Sequence, residues 1–408
     1  MKNNPQTALI HAPRQAPQYI STIQPPLFRA STIIFPNTDA LFNRHWSDAY
    51  DYSYGTHGTP TTFTLGDNIA QIEGGNFCLL APSGLSAINL VNACFLAQGD
   101  EVWVADNIYG PNMEHLRNLE TRYGIHVKIY NPIEVDSFQP SAQAKLIWLE
   151  AAGSITLEFP NLVALVNKAK QANVLTALDN TWGAGLAFNA FNFADEHLSV
   201  DITVHALTKY PSGGGDILMG SVVTRDQKLH HQLFRMHAIQ GIAISGDDAA
   251  QVQRSLASMR LRYEHQSQST LKLLDWLKQQ DEFVQVLHPA DASSAGHHYW
   301  KEVCQEGHSA GLVSVIFKTK YDLTAIRKFC DSLNLFKLGF SWGGPVSLVM
   351  LYNLKEMREL QHTHLQQGLL VRFCIGLEHP TDLIQDIENA LKQLNTQQLE
   401  QPKHKKIK

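Results

Sequence analysis

Four stretches of this 408-residue chain set chemically capable side chains just after apolar runs or just before one. They are Asp179-Asn180-Thr181-Trp182, Thr208-Lys209-Tyr210 with Gly213-Gly214-Gly215 behind it, Asp106-Asn107-Ile108-Tyr109-Gly110, and Ala81-Pro82-Ser83-Gly84. A lysine such as Lys209 can form an imine with an aldehyde. A carboxylate such as Asp179 can keep a pyridine nitrogen protonated and so make the ring an electron sink. Tyr109 can lie flat on that ring, and a helix start reached through Ser83-Gly84 offers free N–H groups to a phosphate. Together these are the requirements for holding pyridoxal 5'-phosphate (PLP). Each feature alone has a plainer reading, since an Asp after a strand is often a helix cap and a lysine usually sits on a solvated face. The weight lies in the conjunction of four residue types at four element ends.

The elements that must position these residues alternate. Strand patterns at Glu101–Ala105, Val127–Tyr130, Leu146–Leu149, Val174–Leu178, Ile202–His205 and Leu218–Val223 are interleaved with helical patterns at Leu85–Leu96, Met113–Tyr123 and Leu162–Ala172. Such alternation implies right-handed crossovers and a mostly parallel sheet, an α/β domain. Ligands of open parallel sheets sit at the carboxyl ends of the strands, where all four stretches would fall. Near residue 245 the alternation stops. A long helical pattern from Asp247 to Leu277 leads to strands at Leu312–Phe317, Ser347–Leu351 and Leu370–Ile375, with helices at Leu323–Leu333 and Thr381–Leu394, a smaller α+β domain. The expected division is 1–59, a proline-rich arm that packs on a neighbouring subunit; 60–246, the large domain; and 247–408, the C-terminal domain with a frayed basic tail.

Charge excludes some functions. Thirty-three Lys+Arg against 38 Asp+Glu give −5, with no basic stripe for nucleic acid or an anionic membrane. From Gly74 to Gly99 no residue is charged, yet Pro82, Gly84, two serines and three asparagines argue against a bilayer span. The run reads as cofactor cradle followed by a helix under the sheet. Five widely spaced cysteines without a CxxC, and no apolar segment of signal-peptide length at the start, fit a reducing, cytoplasmic setting. Nineteen histidines contain no HExxH or zinc-ligand spacing, so no metal is expected, and the glycine run lacks GxGxxG.

The motifs LDNTW at 178–182, LTKYPSGG at 207–214, NIYGP at 107–111, PSGLSA at 82–87 and YGTHGTPT at 54–61 resemble those of the Cys/Met-metabolism family of PLP enzymes. The likeness runs from about Thr7 to about Leu394. It implies a type I PLP-dependent transferase fold, with Lys209 joined to the cofactor aldehyde, Asp179 on the pyridinium and Tyr109 stacked on the ring. Gly84 and Leu85, by their backbone, and the Thr208 hydroxyl would hold the phosphate. Tyr54 would reach the phosphate of a partner subunit in a homodimer, two of which would form a tetramer.

Arg372, in an otherwise apolar strand, is either a buried ion-pair partner of Glu378 or Asp386, or a fork for an α-carboxylate. An amino-acid substrate favours the fork. Glu150-Ala151-Ala152-Gly153-Ser154 and Ser341-Trp342-Gly343-Gly344 resemble the bacterial β-lyase branch of the family, which adds Ser154, Ser341 and Trp342 to the expected substrate-binding set. The implied reaction is β-elimination of L-cystathionine to L-homocysteine, pyruvate and ammonia, with Lys209, or Tyr109 as phenolate, taking the α-proton. Rival readings are another sulfur amino-acid lyase of the family and a PLP-binding regulator with little turnover. The chain departs from its relatives at Thr56, where many carry an arginine for the partner's phosphate. His57 is the expected substitute.

Overall fold

The computed structural model describes residues 22–44, 52–193, 198–304 and 307–400, with Thr7 and Ile10. The basic tail at 401–408 and most of the arm's first 21 residues lie outside these. In chain order the first unit contains α1 (Thr38–Phe42), α2 (Pro60–Glu73), β1 (Phe77–Ala81), α3 (Gly84–Phe95), β2 (Glu101–Ala105), α4 (Gly110–Tyr123), β3 (His126–Tyr130) and β4 (Ala144–Glu150). It continues through α5 (Leu162–Gln171), β5 (Leu175–Asp179), β6 (Ile202–His205), β7 (Gly220–Thr224), α6 (Gln227–Ile239) and α7 (Gly246–Leu256). The seven strands order as β1-β7-β6-β5-β4-β2-β3. Strand β7 runs antiparallel to β1 and β6, and every other neighbouring pair is parallel.

Both faces of this sheet are covered, which is why β2 and β4 are apolar almost throughout. One face packs Val102, Val104 and Val204 against Ile88, Leu90 and Val91 of α3. The other packs Ile147, Leu149 and Leu178 with Leu65 and Ile69 of α2. The uncharged run therefore holds β1, the turn at Pro82-Ser83, and α3, and its Leu79, Ala81, Ala87, Ile88, Leu90 and Val91 are core. No helix among the described residues is long and apolar enough to cross a membrane, and all five cysteines are free thiols.

The second unit contains α8 (Met259–Leu277), β8 (Phe283–Leu287), α9 (His297–Val303), β9 (Leu312–Phe317), α10 (Leu323–Ser332), β10 (Lys337–Leu338), β11 (Leu348–Tyr352), β12 (Leu370–Cys374) and α11 (Pro380–Glu400). Its sheet orders as β10-β11-β12-β9-β8, antiparallel except for β10 on β11. Leu273, Leu277, Phe317, Phe329, Phe373 and Ile387 form its core.

Two sequence expectations shift here. The single helix expected over 247–277 is two, α7 and α8, parted at Ala257-Ser258. Ser258 Oγ and the Arg262 guanidinium both donate to the Ser255 carbonyl, bonds that compete with a continuing helix ladder. Helix α7 also packs Ala249, Val252 and Leu256 into the first core beside Leu65 and Ile69. The second core thus begins with Leu273 of α8, beyond the expected boundary at 247. Within the arm, the Phe28 N–H donates to Thr61 Oγ and Arg29 pairs with Asp247, so this part lies on α2 and α7 of its own chain.

Candidate active site

The carboxyl ends of β1, β2, β4, β5 and β6 surround one cleft. It encloses about 160 Å³, about ten times the space one buried water needs, so a substituted pyridine ring can enter. Asp179 is the last residue of β5 and Glu150 the last of β4, and the two face each other in register. Lys209 lies in the turn after β6. Tyr109 is the N-cap of α4, and Ser83 is the N-cap of α3, its hydroxyl accepting from the Ser86 N–H at 3.1 Å.

Asp179 is held by Thr181, whose N–H and O–H both donate to the same oxygen, Oδ1, at 3.0 and 2.6 Å. Thr181 Oγ in turn accepts from the Ala206 N–H at 3.0 Å, which ties the carboxylate to the turn that carries the lysine. Behind them, buried Glu73 accepts from Asn180 Nδ2 at 2.7 Å and pairs with His205 Nδ1 at 2.9 Å, fixing the ends of β5 and β6 to α2. Burial raises the Asp179 carboxyl, while the Thr181 bonds and the charges of His205 and Lys209 oppose that rise. Burial, then the charge of Asp179, raises Glu150, while the N–H groups of Tyr109 and Ser154, which donate to its two oxygens, favour the carboxylate.

Lys209 Nζ donates to Ser341 Oγ at 2.9 Å and lies 4.5 Å from the centre of the Trp342 ring. Burial, then the charge of Arg372, lowers its amine to about 8. Ser341 adopts φ +145°, a region that side chains rarely occupy and that recurs at functional sites. Arg372 Cζ lies 5.1 Å from the Trp342 ring and 5.5 Å from that of Tyr352. Its Nη1 donates to the Ser154 carbonyl at 2.7 Å, and its buried Nε has no partner among the described residues. Neither expected ion-pair partner reaches it. Glu378 accepts from Ser347, and Asp386 accepts from the N–H groups of Asn334, Leu335 and Phe336. An arginine with an unused donor, beside the same indole as the lysine and near enough for its charge to act on that amine, suits an α-carboxylate.

The start of α3 is pressed against the lysine turn. A Cβ on Gly84 would fall 2.6 Å from the Ala206 Cβ, so only glycine lets the helix amides and Lys209 share the cleft. Amine, carboxylate, aromatic and helix amides thus line a single space, and they fit PLP. Thr208 lines the cleft beside them. Its hydroxyl donates to the Met219 carbonyl at 3.2 Å and accepts from the Met219 N–H at 3.0 Å, which makes it a latch for the lysine turn. Tyr109 lines the cleft too, and burial, then the charges of Asp179 and Glu150, raises its phenol, which favours Lys209 of the two expected bases. Tyr54 is half-exposed and outside the lining of this cleft. His57 bonds Ser53 Oγ through Nδ1 at 2.7 Å, and burial, then Arg44, lowers it, which disfavours the cation that a substitute for arginine would need.

Sequence reasoning missed the groups that brace the cleft. A segment after β11 crosses to the ends of β2 and β4. Asp106 accepts from the N–H groups of Glu359 and Leu360 and bonds His362, while Glu158 bonds Arg358 at 2.9 Å, His364 at 3.1 Å and Asn107 at 3.0 Å. Burial alone would raise Glu158, but Arg358 and its other partners hold it well below the usual carboxylate range.

The model of the Cys/Met metabolism PLP-dependent enzyme family matches residues 6–392. A cystathionine beta-lyase of Bordetella avium is 34% identical over 369 residues, 90% of this chain and 91% of its own. An L-alanine/L-glutamate racemase of Wolbachia pipientis wMel is 28% identical over 399 residues, 95% of this chain and 97% of its own. The crystal structure of cystathionine gamma synthase from Xanthomonas oryzae pv. oryzae in complex with cystathionine is similar with a TM-score of 0.85 at 25% identity, covering 97% of this chain and all of that one.

Proposed function

Because the chain belongs to the Cys/Met metabolism family of PLP-dependent enzymes, we propose that it is a carbon–sulfur lyase acting on L-cystathionine by β-elimination, a step of methionine biosynthesis. The observation that carries this reading is the placement of Lys209 and Arg372 over one ring, that of Trp342. An amino acid whose carboxylate Arg372 grips has its α-carbon near Nζ. The likeness to a cystathionine beta-lyase over nine-tenths of the chain supports the choice of substrate.

PLP would be held by Lys209, by Asp179, by the amides at the start of α3 and by Tyr109. When bound, it supplies an aldehyde for the substrate amine and an electron sink that makes the α-proton acidic. Arg372 binds and orients the carboxylate. The Lys209 amine, lowered to about 8, is in part unprotonated at neutral pH, so Nζ can take the α-proton. Ser341 Oγ holds Nζ in place before transfer. Nζ then gives a proton to the departing sulfur as the Cβ–S bond breaks. Trp342, 9% exposed, keeps bulk water from that transfer. In balance, cystathionine and one water give homocysteine, pyruvate and ammonia.

A second copy of the chain completes the site in this proposal. Ile34 and Phe42 of the arm region are 90% and 79% exposed, apolar surface that a partner would cover, and Tyr54 is half-exposed and outside the lining of its own cleft. Five free thiols suit the cytoplasm as its setting. Incubation of the PLP-loaded enzyme with L-cystathionine should release pyruvate; release of 2-oxobutyrate would overturn the assignment.

A further inference from the structure

Glu150 is 4% exposed, lines the cleft, and has a role that neither ring chemistry nor substrate binding assigns to it. Its two oxygens are shared between two loops. Oε2 accepts from the Tyr109 N–H at 2.6 Å, and Oε1 accepts from the Ser154 N–H at 2.9 Å. The peptide chain of Ser154 then offers its carbonyl to Arg372 Nη1 at 2.7 Å. One carboxylate thus links the backbone that carries the ring-stacking tyrosine to the backbone that aims the arginine.

We propose that Glu150 is a positioning residue that sets the Arg372 guanidinium and the Tyr109 turn in a common register, so that a substrate carboxylate is gripped at the correct distance from the ring. The inference rests on Arg372 binding a carboxylate, and not on which carbon–sulfur bond breaks. The physical basis is that a carboxylate accepts at both oxygens, whereas an amide has one acceptor and one donor. Glu150→Gln therefore turns an N–H against an NH₂ at one of the two loops, and that loop must move.

The test separates carboxylate gripping from general damage. The PLP-loaded enzyme is titrated with L-alanine and with ethylamine, which is the same amine without a carboxylate, and binding is read from the absorbance of the cofactor. L-Alanine carries no thioether, so the titration does not depend on the proposed lyase reaction. In the parent chain L-alanine should bind more tightly than ethylamine. Glu150→Gln should weaken L-alanine by about tenfold, the loss expected when a charge-assisted hydrogen bond is misplaced, with ethylamine changed by less than about twofold. Glu150→Asp, which keeps both acceptors one methylene short, should give a smaller loss of the same selectivity. Equal weakening of both ligands, or no weakening of L-alanine, would overturn the proposal. A parent chain with no preference for L-alanine would overturn it together with the role of Arg372.

Discussion

The lowered amine of Lys209 gives a quantitative prediction for the chain freed of cofactor. An amine with a value of about 8 is about 9% unprotonated at pH 7, against about 0.03% for an ordinary lysine, roughly a 300-fold advantage as a nucleophile. Capture of PLP by the apoenzyme, followed by the colour of imine formation, should therefore accelerate about fivefold between pH 7 and pH 8 and only about twofold from there to pH 10. Burial is the first cause and the charge of Arg372 the second. Arg372→Met removes the like charge and should move the levelling-off to higher pH. The same sign applies to stability. A lysine whose folded value is depressed binds fewer protons folded than unfolded between about 8 and 10.5, so the apoenzyme gains stability as pH rises through that window. A capture rate that keeps climbing tenfold per pH unit to pH 10, or an Arg372→Met profile that levels off at lower pH, would refute the reasoning.

Other outcomes follow from single groups. Lys209→Ala should abolish turnover, since the group that moves both protons is gone, a loss of at least about 10² in steady-state rate. Gly84→Ala places a Cβ against Ala206, and the resulting shift of the α3 amides should raise the dissociation constant for PLP about tenfold or more, measured by fluorescence titration of the apoenzyme. Arg358→Met leaves the Glu158 carboxylate buried without its cation. Urea unfolding should show a loss of about 3 kcal/mol at neutral pH. Because Glu158 is held below its unfolded value, that difference should shrink as the solution is acidified below about pH 4.5.

What could be read from the sequence was whatever local chemistry dictates. The type I PLP-dependent fold was legible because its strands end in distinctive residues. Glu101–Ala105, Ile202–His205 and Leu312–Phe317 form with the expected bounds, and Leu146–Leu149 grows only at its ends into β4. Strand β1 was not legible, because Phe77–Ala81 runs into α3 without a charge or a period to separate them. Leu218 looked like strand and is 69% exposed at the mouth of the cleft, so β7 starts two residues later. The site residues with diagnostic side chains, Lys209, Asp179, Tyr109, Trp342 and Arg372, all come together. The backbone bonds of Glu150 and Thr208 were hidden, since the amides and carbonyls they meet carry no sequence signature. The pairing of Arg358 with Glu158 spans 200 positions, beyond any periodic pattern.

The most direct test of the central claim is the product balance from one reaction. The PLP-loaded enzyme is given L-cystathionine as its sole substrate, and keto acid and thiol are separated and quantified. Equimolar pyruvate and homocysteine are predicted, because the bond between the β-carbon and sulfur is the one that breaks; 2-oxobutyrate with cysteine, or no thiol at all, would contradict the account.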